Sequence, residues 1–172
     1  MADFKENVEI ERKYIIAMPD PARLAAMPGY SESRILQTYL RSDEGVTRRV
    51  RRREFPGLTK HYETVKARID RVSAVERERE ISAEEYELLL AEIADGTRTI
   101  EKTRYTFPYA GHTVEIDIYP EWRKTAILET ELPTREEVAE LPEFIKVIRE
   151  VSGIKGYSNA AMSHSFPPED EI

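Results

Sequence analysis

The chain has 172 residues, 26 Lys+Arg against 33 Asp+Glu for a formal net charge of −7, 40% hydrophobic residues and no cysteine. This length and apolar content are enough to bury the core of one domain, and the missing cysteines exclude disulfides, thiolate metal sites and cysteine nucleophiles. No stretch approaches the ~20 apolar residues of a membrane helix, and the opening MADFKENVEIERKY has no hydrophobic leader, so a soluble cytoplasmic protein without nucleic-acid or membrane partners is expected.

Charged residues recur at every second position between apolar ones, which predicts strands over about 8–16, 33–41, 45–54, 60–69, 75–81, 98–107, 112–119 and 126–132. Asp43-Glu44-Gly45, Pro56-Gly57 and Ala110-Gly111 supply turns between them, and a mainly antiparallel, meandering sheet follows. A short helix is expected near Pro21–Met27. From Ser82, the segment SAEEYELLLAEIAD pairs a capping serine with Glu85 and aligns Tyr86, Leu89, Leu90 and Ile93 on one helical face. A further helix is predicted from Pro142 to Ser152, with Phe144, Val147, Ile148 and Val151 as its apolar stripe and Gly153 as its stop. No linker or repeat divides residues 1–172, read as a single domain with a frayed tail at about 165–172.

Residues i and i+2 of a strand share a face, so its charges sort by phase. Glu9, Glu11 and Lys13 oppose Val8 and Ile10; Arg49 and Arg51 oppose Val46 and Val50, while Arg48 and Arg52 fall on the apolar side. Lys66 follows Thr64 in phase; Glu76, Glu78 and Glu80 align; Lys102 aligns with Arg104, Glu115 with Asp117, and Glu129 with Glu131. Such faces could simply be solvated. Solvent faces, however, usually mix signs to avoid like-charge repulsion, whereas here carboxylates repeat at ~7 Å, from which two can converge on one hard cation. The basic pairs offer the same to an anion with several oxygens. A concave or closed polar face holding a polyanion and a divalent metal together is the alternative.

The run Glu9-Ile10-Glu11-Arg12-Lys13 resembles the ExExK signature of the CYTH proteins, or triphosphate tunnel metalloenzymes. Gln37-Thr38-Tyr39-Leu40, Arg49-Val50-Arg51, Thr64-Val65-Lys66, Glu78-Arg79-Glu80, Lys102-Thr103-Arg104, Glu115-Ile116-Asp117, Glu129-Thr130-Glu131 and Tyr157-Ser158-Asn159 follow in that family's order, over about residues 7–160. The resemblance implies a mainly β fold with flanking α-helices, an eight-stranded antiparallel closed β-barrel whose charged phases point inward. It implies that Lys13, Arg49, Arg51, Lys66, Lys102 and Arg104 bind a small-molecule triphosphate. Glu9, Glu11, Glu129 and Glu131, assisted by Glu115 and Asp117, would hold Mg²⁺ or Mn²⁺. Glu76 departs from the pattern, standing at a position that is often basic.

The activity so implied is metal-dependent hydrolysis of tripolyphosphate, with class IV adenylate cyclase next, then thiamine triphosphatase or a non-catalytic polyphosphate-binding module. Glu129 or Glu131 is expected to activate water, and Lys13 and Tyr39, on polar phases of adjacent early strands, to tune that end of the site. Crowded carboxylates predict strict metal dependence and an alkaline-side optimum. Arg52 and Arg53 exceed the motif and are left as surface or tunnel-mouth charges, and Arg48, like them, is not assigned to the tunnel. Trp122 is read as core packing, Tyr157-Ser158-Asn159 as structural and His61, His112 and His164 as incidental; the protein is expected to be a monomer or homodimer.

Overall fold

The computed structural model describes residues 3–172. Its strands are β1 (Lys5–Ala17), β2 (Ser31–Leu40), β3 (Val46–Phe55), β4 (Leu58–Arg68), β5 (Ser73–Ile81), β6 (Ile100–Tyr109), β7 (His112–Ile118), β8 (Thr125–Glu131) and β9 (Val147–Glu150). The first eight match the strands expected from the sequence to within three residues at either end. They form two antiparallel meanders, β2 to β5 and β6 to β8, joined where β2 pairs with β6. Strand β1 closes the ring, pairing with β5 through residues 5–10 and with β8 through residues 11–17. A closed eight-stranded barrel results, in which β5 covers only residues 5–10 along one edge of β1. The β6–β7 hairpin turns through Ala110 (φ 47°) and Gly111 (φ 81°), the pair of left-handed residues whose twist matches that of the flanking strands.

Side-chain alternation divides the barrel wall into an outer and an inner surface. Outside, Tyr14, Ile16, Tyr105, Phe107, Val114, Ile116 and Leu128 form an apolar layer covered by Leu24 of α1 (Pro21–Ala25) and by Ile145. On the opposite side, Leu40, Val50 and Ile81 pack against Tyr86 of α2 (Ala83–Leu89), whose Ser82 cap accepts from the Glu85 N–H at 3.0 Å as predicted. Inside, Ile15, Ile100, Tyr119 and Ile127 continue the inward phases of β1, β6, β7 and β8 past their charged residues. Trp122, Tyr157 and Met162 of α3 (Asn159–Met162) complete that cluster, so apolar packing fills one end of the barrel. Trp122, 3% exposed, is core packing as expected.

Three expectations are corrected. Residues 142–152 form no helix: Val147–Glu150 is strand β9, pairing with β1 at Tyr14–Ile16, and Val147 and Ile148 are exposed. The physical reason is an available partner: β5 leaves this edge of β1 after Ile10, and a segment rich in β-branched residues takes it. Helix α2 ends at Leu89 and is followed by a tight turn at Leu90–Glu92, so it is shorter than predicted. The tail is not frayed: Glu169 accepts from the backbone N–H groups of Arg123 (2.6 Å) and Lys124 (2.8 Å), and Trp122 Nε1 donates to Pro167 O at 2.9 Å.

Candidate active site

The inward polar phases enclose a cavity of about 670 Å³. Glu9, Glu11, Lys13, Tyr39, Arg49, Arg51, Lys66, Arg104, Glu115, Glu129 and Glu131 all line it, so most of the residues singled out from the sequence come together. Lys102 and Asp117 do not reach its surface. Lys102 is fully buried and donates to Asp117 Oδ2 at 2.7 Å, while Arg104 grips both oxygens of Asp117 at 2.7 and 2.8 Å. Burial would raise the Asp117 carboxyl, but Arg104 and Lys102 outweigh it and hold it far below the usual carboxylate range. Asp117 thereby fixes Arg104, which also pairs with Glu115 at the cavity wall.

One side of the cavity is acidic. Register sets Glu11 of β1 opposite Glu131 of β8, Lys13 opposite Glu129, and Glu129 opposite Glu115 of β7. Lys66 Nζ lies 3.1 Å from Glu9 and 3.6 Å from Glu11; Lys13 Nζ lies 3.4 Å from Glu129 and donates to Tyr157 O at 3.2 Å. These two lysines cannot neutralise every carboxylate. Burial, then Glu129, push Glu11 up to about 7 despite Lys66 and Lys13. Burial likewise lifts Glu76 to about 7, with Glu9 adding to the rise against Arg49, and burial with Glu115 raises Glu131. Glu129 is the exception: burial opposes ionisation there, but Lys13 and Arg104 prevail and bring it to about 2.

The other side is basic. Arg51, 8% exposed, donates to Gln37 Oε1 through Nε (3.2 Å) and Nη2 (2.9 Å), and Gln37 in turn donates to the Tyr39 hydroxyl at 3.1 Å. Arg49 Nε is buried without a hydrogen-bond partner. Among the described residues neither arginine has a carboxylate at ion-pair distance. Burial, reinforced by Arg49 and Arg104, pushes the Arg51 guanidinium down to about 9. Arg53 belongs to the same row: it lines the cavity, where the sequence reading had set it with Arg48 and Arg52 at the surface or mouth. The missed signal was phase, since Arg53 lies two residues beyond Arg51. Arg48 and Arg52 do point outward, Arg48 to Glu63 at 2.7 Å and Arg52 to Glu54 at 3.0 Å.

Strands β1 and β2 are not adjacent, which corrects the ground on which Lys13 and Tyr39 were coupled. Three strands separate them in either direction round the ring, so Tyr39 stands with the arginines and Lys13 with the carboxylates. The sequence reading also passed over Gln37, which shares the inward phase of Tyr39. Ser152, Gly153, Ser158 and His164 border the cavity through the fold of the C-terminal segment, for which no periodicity exists.

The donor chemistry fits a divalent metal. Glu9, Glu11, Glu129 and Glu131 present hard oxygen donors to one cavity, where burial first and then Glu129 and Glu115 raise Glu11 and Glu131, a penalty on their charged forms that a bound cation would relieve. Among the described residues no three of His, Asp or Glu converge into a preformed metal centre.

No protein-family model matches the chain. An inorganic triphosphatase of Acetivibrio thermocellus is 33% identical over 153 residues, covering 88% of this chain and 90% of the relative. The chain belongs to the CYTH family of triphosphate tunnel metalloenzymes. Another member, the inorganic triphosphatase NE1496, superposes with a TM-score of 0.59 at 25% identity, over 93% of this chain and 97% of that one. The PH1819 protein of Pyrococcus horikoshii OT3 shares the fold at 19% identity, with a TM-score of 0.58 over 74% of this chain and 80% of that one. The charged phases face the inside of this CYTH barrel, and the solvated-face alternative is set aside.

Proposed function

We propose that the protein hydrolyses linear tripolyphosphate to pyrophosphate and orthophosphate with the help of Mg²⁺ or Mn²⁺. The observation that carries this reading is the division of one cavity into a bare arginine row and an under-neutralised carboxylate wall. The 33% identical relative, named as an inorganic triphosphatase, supports it. Phosphoanhydride hydrolysis asks for positioning and charge neutralisation rather than covalent chemistry.

Arg49 and Arg51 bind non-bridging oxygens in bidentate fashion, and Arg104, locked by Asp117, stabilises the charge developing on the leaving pyrophosphate. Glu9, Glu11 and Glu129 would hold the metal, which when bound would supply Lewis-acid polarisation of the phosphoryl group, leaving Glu131 free. Water attacks the terminal phosphorus, the bridging P–O bond breaks, and pyrophosphate departs with the bridging oxygen. The water's proton passes to a carboxylate. Glu129, at about 2, is too weak a base and is better suited to orienting Lys13; Glu131, raised by burial and Glu115, is the better match.

Incubation with tripolyphosphate, ATP or thiamine triphosphate in Mg²⁺ or Mn²⁺ should yield fastest turnover of tripolyphosphate, with orthophosphate and pyrophosphate as products. Cyclic AMP from ATP as the dominant product, or full hydrolysis of tripolyphosphate in EDTA, would overturn the proposal.

A further inference from the structure

Strand β9 carries a cation outside the barrel that no carboxylate answers. Arg149 stands opposite Ile15 of β1, is exposed and does not line the cavity. Among the described residues no carboxylate lies at ion-pair distance from it, and its side-chain contacts go to one residue, Tyr157. Nη2 donates to the Tyr157 hydroxyl at 2.9 Å, and the guanidinium carbon sits 5.2 Å from the centre of the ring, within reach of a cation–π attraction. Fixing an exposed arginine costs rotamer freedom, and an exposed cation–π contact is weak, so the clamp adds little to the stability of the fold.

The backbone of Tyr157 points to the site instead. Tyr157 is buried, and its carbonyl oxygen lies at the junction of the tight turn Lys155–Tyr157 and α3, where no backbone N–H donates to it among the described residues. It accepts from Lys13 Nζ at 3.2 Å. The same segment holds Lys13 along its main chain: the Lys13 N–H donates to Ser152 Oγ at 2.9 Å, and the Lys13 carbonyl accepts from the Val151 N–H at 2.8 Å. An ammonium has three N–H donors. With one on Tyr157 O and one toward Glu129, 3.4 Å away, the third is left for the cavity that Lys13 lines. A lysine stem is flexible, so the direction of that third donor follows the position of the Tyr157 carbonyl.

We propose that Arg149 is a positioning residue: by clamping the Tyr157 side chain from outside the barrel it fixes the Tyr157 carbonyl, and through it the direction of the Lys13 ammonium. The consequence for turnover rests on the triphosphatase reading, whereas the effect on Lys13 itself does not.

The test uses Arg149→Gln, Arg149→Lys and Tyr157→Phe, with Lys13→Met as reference. In the ligand-free protein the nitrogen-15 signal of Lys13 Nζ, assigned by its loss in Lys13→Met, should shift in Arg149→Gln and Tyr157→Phe while the melting temperature stays within a few degrees of wild type. Arg149→Lys, which keeps a cation beside the ring, should return the signal part of the way. With tripolyphosphate and Mg²⁺, kcat/KM should fall about tenfold in Arg149→Gln and by a smaller factor in Tyr157→Phe. Arg149→Gln should add nothing to the loss already present in Lys13→Met, because a residue that acts through Lys13 has no effect once Lys13 is gone. An unmoved Lys13 signal, or an equal loss from Arg149→Gln with and without Lys13, would overturn the proposal. A Lys13 signal that responds as described in a protein with no tripolyphosphate turnover in either metal would overturn the triphosphatase reading alone.

Discussion

Strand β3 carries arginines of two kinds, and the difference between them is instructive. Arg48 and Arg52 face outward and are answered by carboxylates: Arg48 by Glu63 and Glu92, Arg52 by Glu54. Glu63, 3% exposed, is shared with Arg79, which also reaches Glu85 of α2, so the outer arginines belong to a network tying strands to helix. Arg49, Arg51 and Arg53 face inward and have no carboxylate at ion-pair distance among the described residues. Identical residue types one position apart thus serve stability on one face and, in the proposed function, ligand binding on the other. What separates them is whether the protein itself supplies the counter-charge.

The sharpest way to break this contrast is Arg51→Gln. Removing a preorganised cation from the cavity should cost about 10²–10³ in kcat/KM for tripolyphosphate. The melting temperature should hold or rise, because burial, and then repulsion from Arg49 and Arg104, disfavour the Arg51 charge. Paired steady-state kinetics and thermal melts test both halves, and a large loss of stability would mean that the inner row is structural after all.

Next in size is Glu63→Gln, which leaves Arg48 and Arg79 facing an uncharged amide in a buried position. It should destabilise the fold by about 3 kcal/mol in urea titrations while kcat of the folded enzyme stays within a few-fold of wild type. A fall in kcat on the scale of Arg51→Gln would erase the distinction between the two faces.

A smaller effect concerns the acidic wall without metal. Glu11 and Glu76 titrate near 7 in the fold, above the ordinary value of 4.5. Between pH 4.5 and 7 the folded protein therefore holds protons that the unfolded chain has released, so stability falls as pH rises through that window. Glu63, Glu129 and Asp117, with lowered pKa values, act in the opposite sense only below about 4.5, while His61, lowered by burial, opposes the fall just below its ordinary 6.5, and Lys102, lowered by burial to about 7, opposes it from about 7 upward. In EDTA the melting temperature should drop by several degrees from pH 5 to pH 7.5, and Mg²⁺ or Mn²⁺ should restore it at pH 7.5. A flat profile would show that the carboxylates are already compensated.

Much of this was legible in one dimension because a closed barrel inherits the period-two alternation of its strands. Glu9 and Glu11, Arg49 and Arg51, or Glu115 and Asp117 announce a common face without any knowledge of neighbours. The helix drawn over 142–152 failed for the converse reason: nothing local reveals that β1 has a free edge, so the apolar spacing of Phe144, Val147 and Ile148 was assigned to the wrong period. The docked tail and the residues around Ser152 and His164 were likewise invisible, since a single long-range contact such as Glu169 to the backbone of Arg123 leaves no periodic trace.

By itself, then, the sequence determined which side chains share a face, which strands are acidic or basic, and the order of motifs by which the family is recognised. The tertiary structure alone decided which face turns inward and which charges meet. It set Asp117 behind the wall to hold Arg104, placed Lys13 against Glu129 and away from Tyr39, and left Arg49, Arg51 and Arg53 with no carboxylate at ion-pair distance among the described residues. The reason is that alternation is local, whereas compensation of charge depends on neighbours across strands that only closure of the barrel brings together.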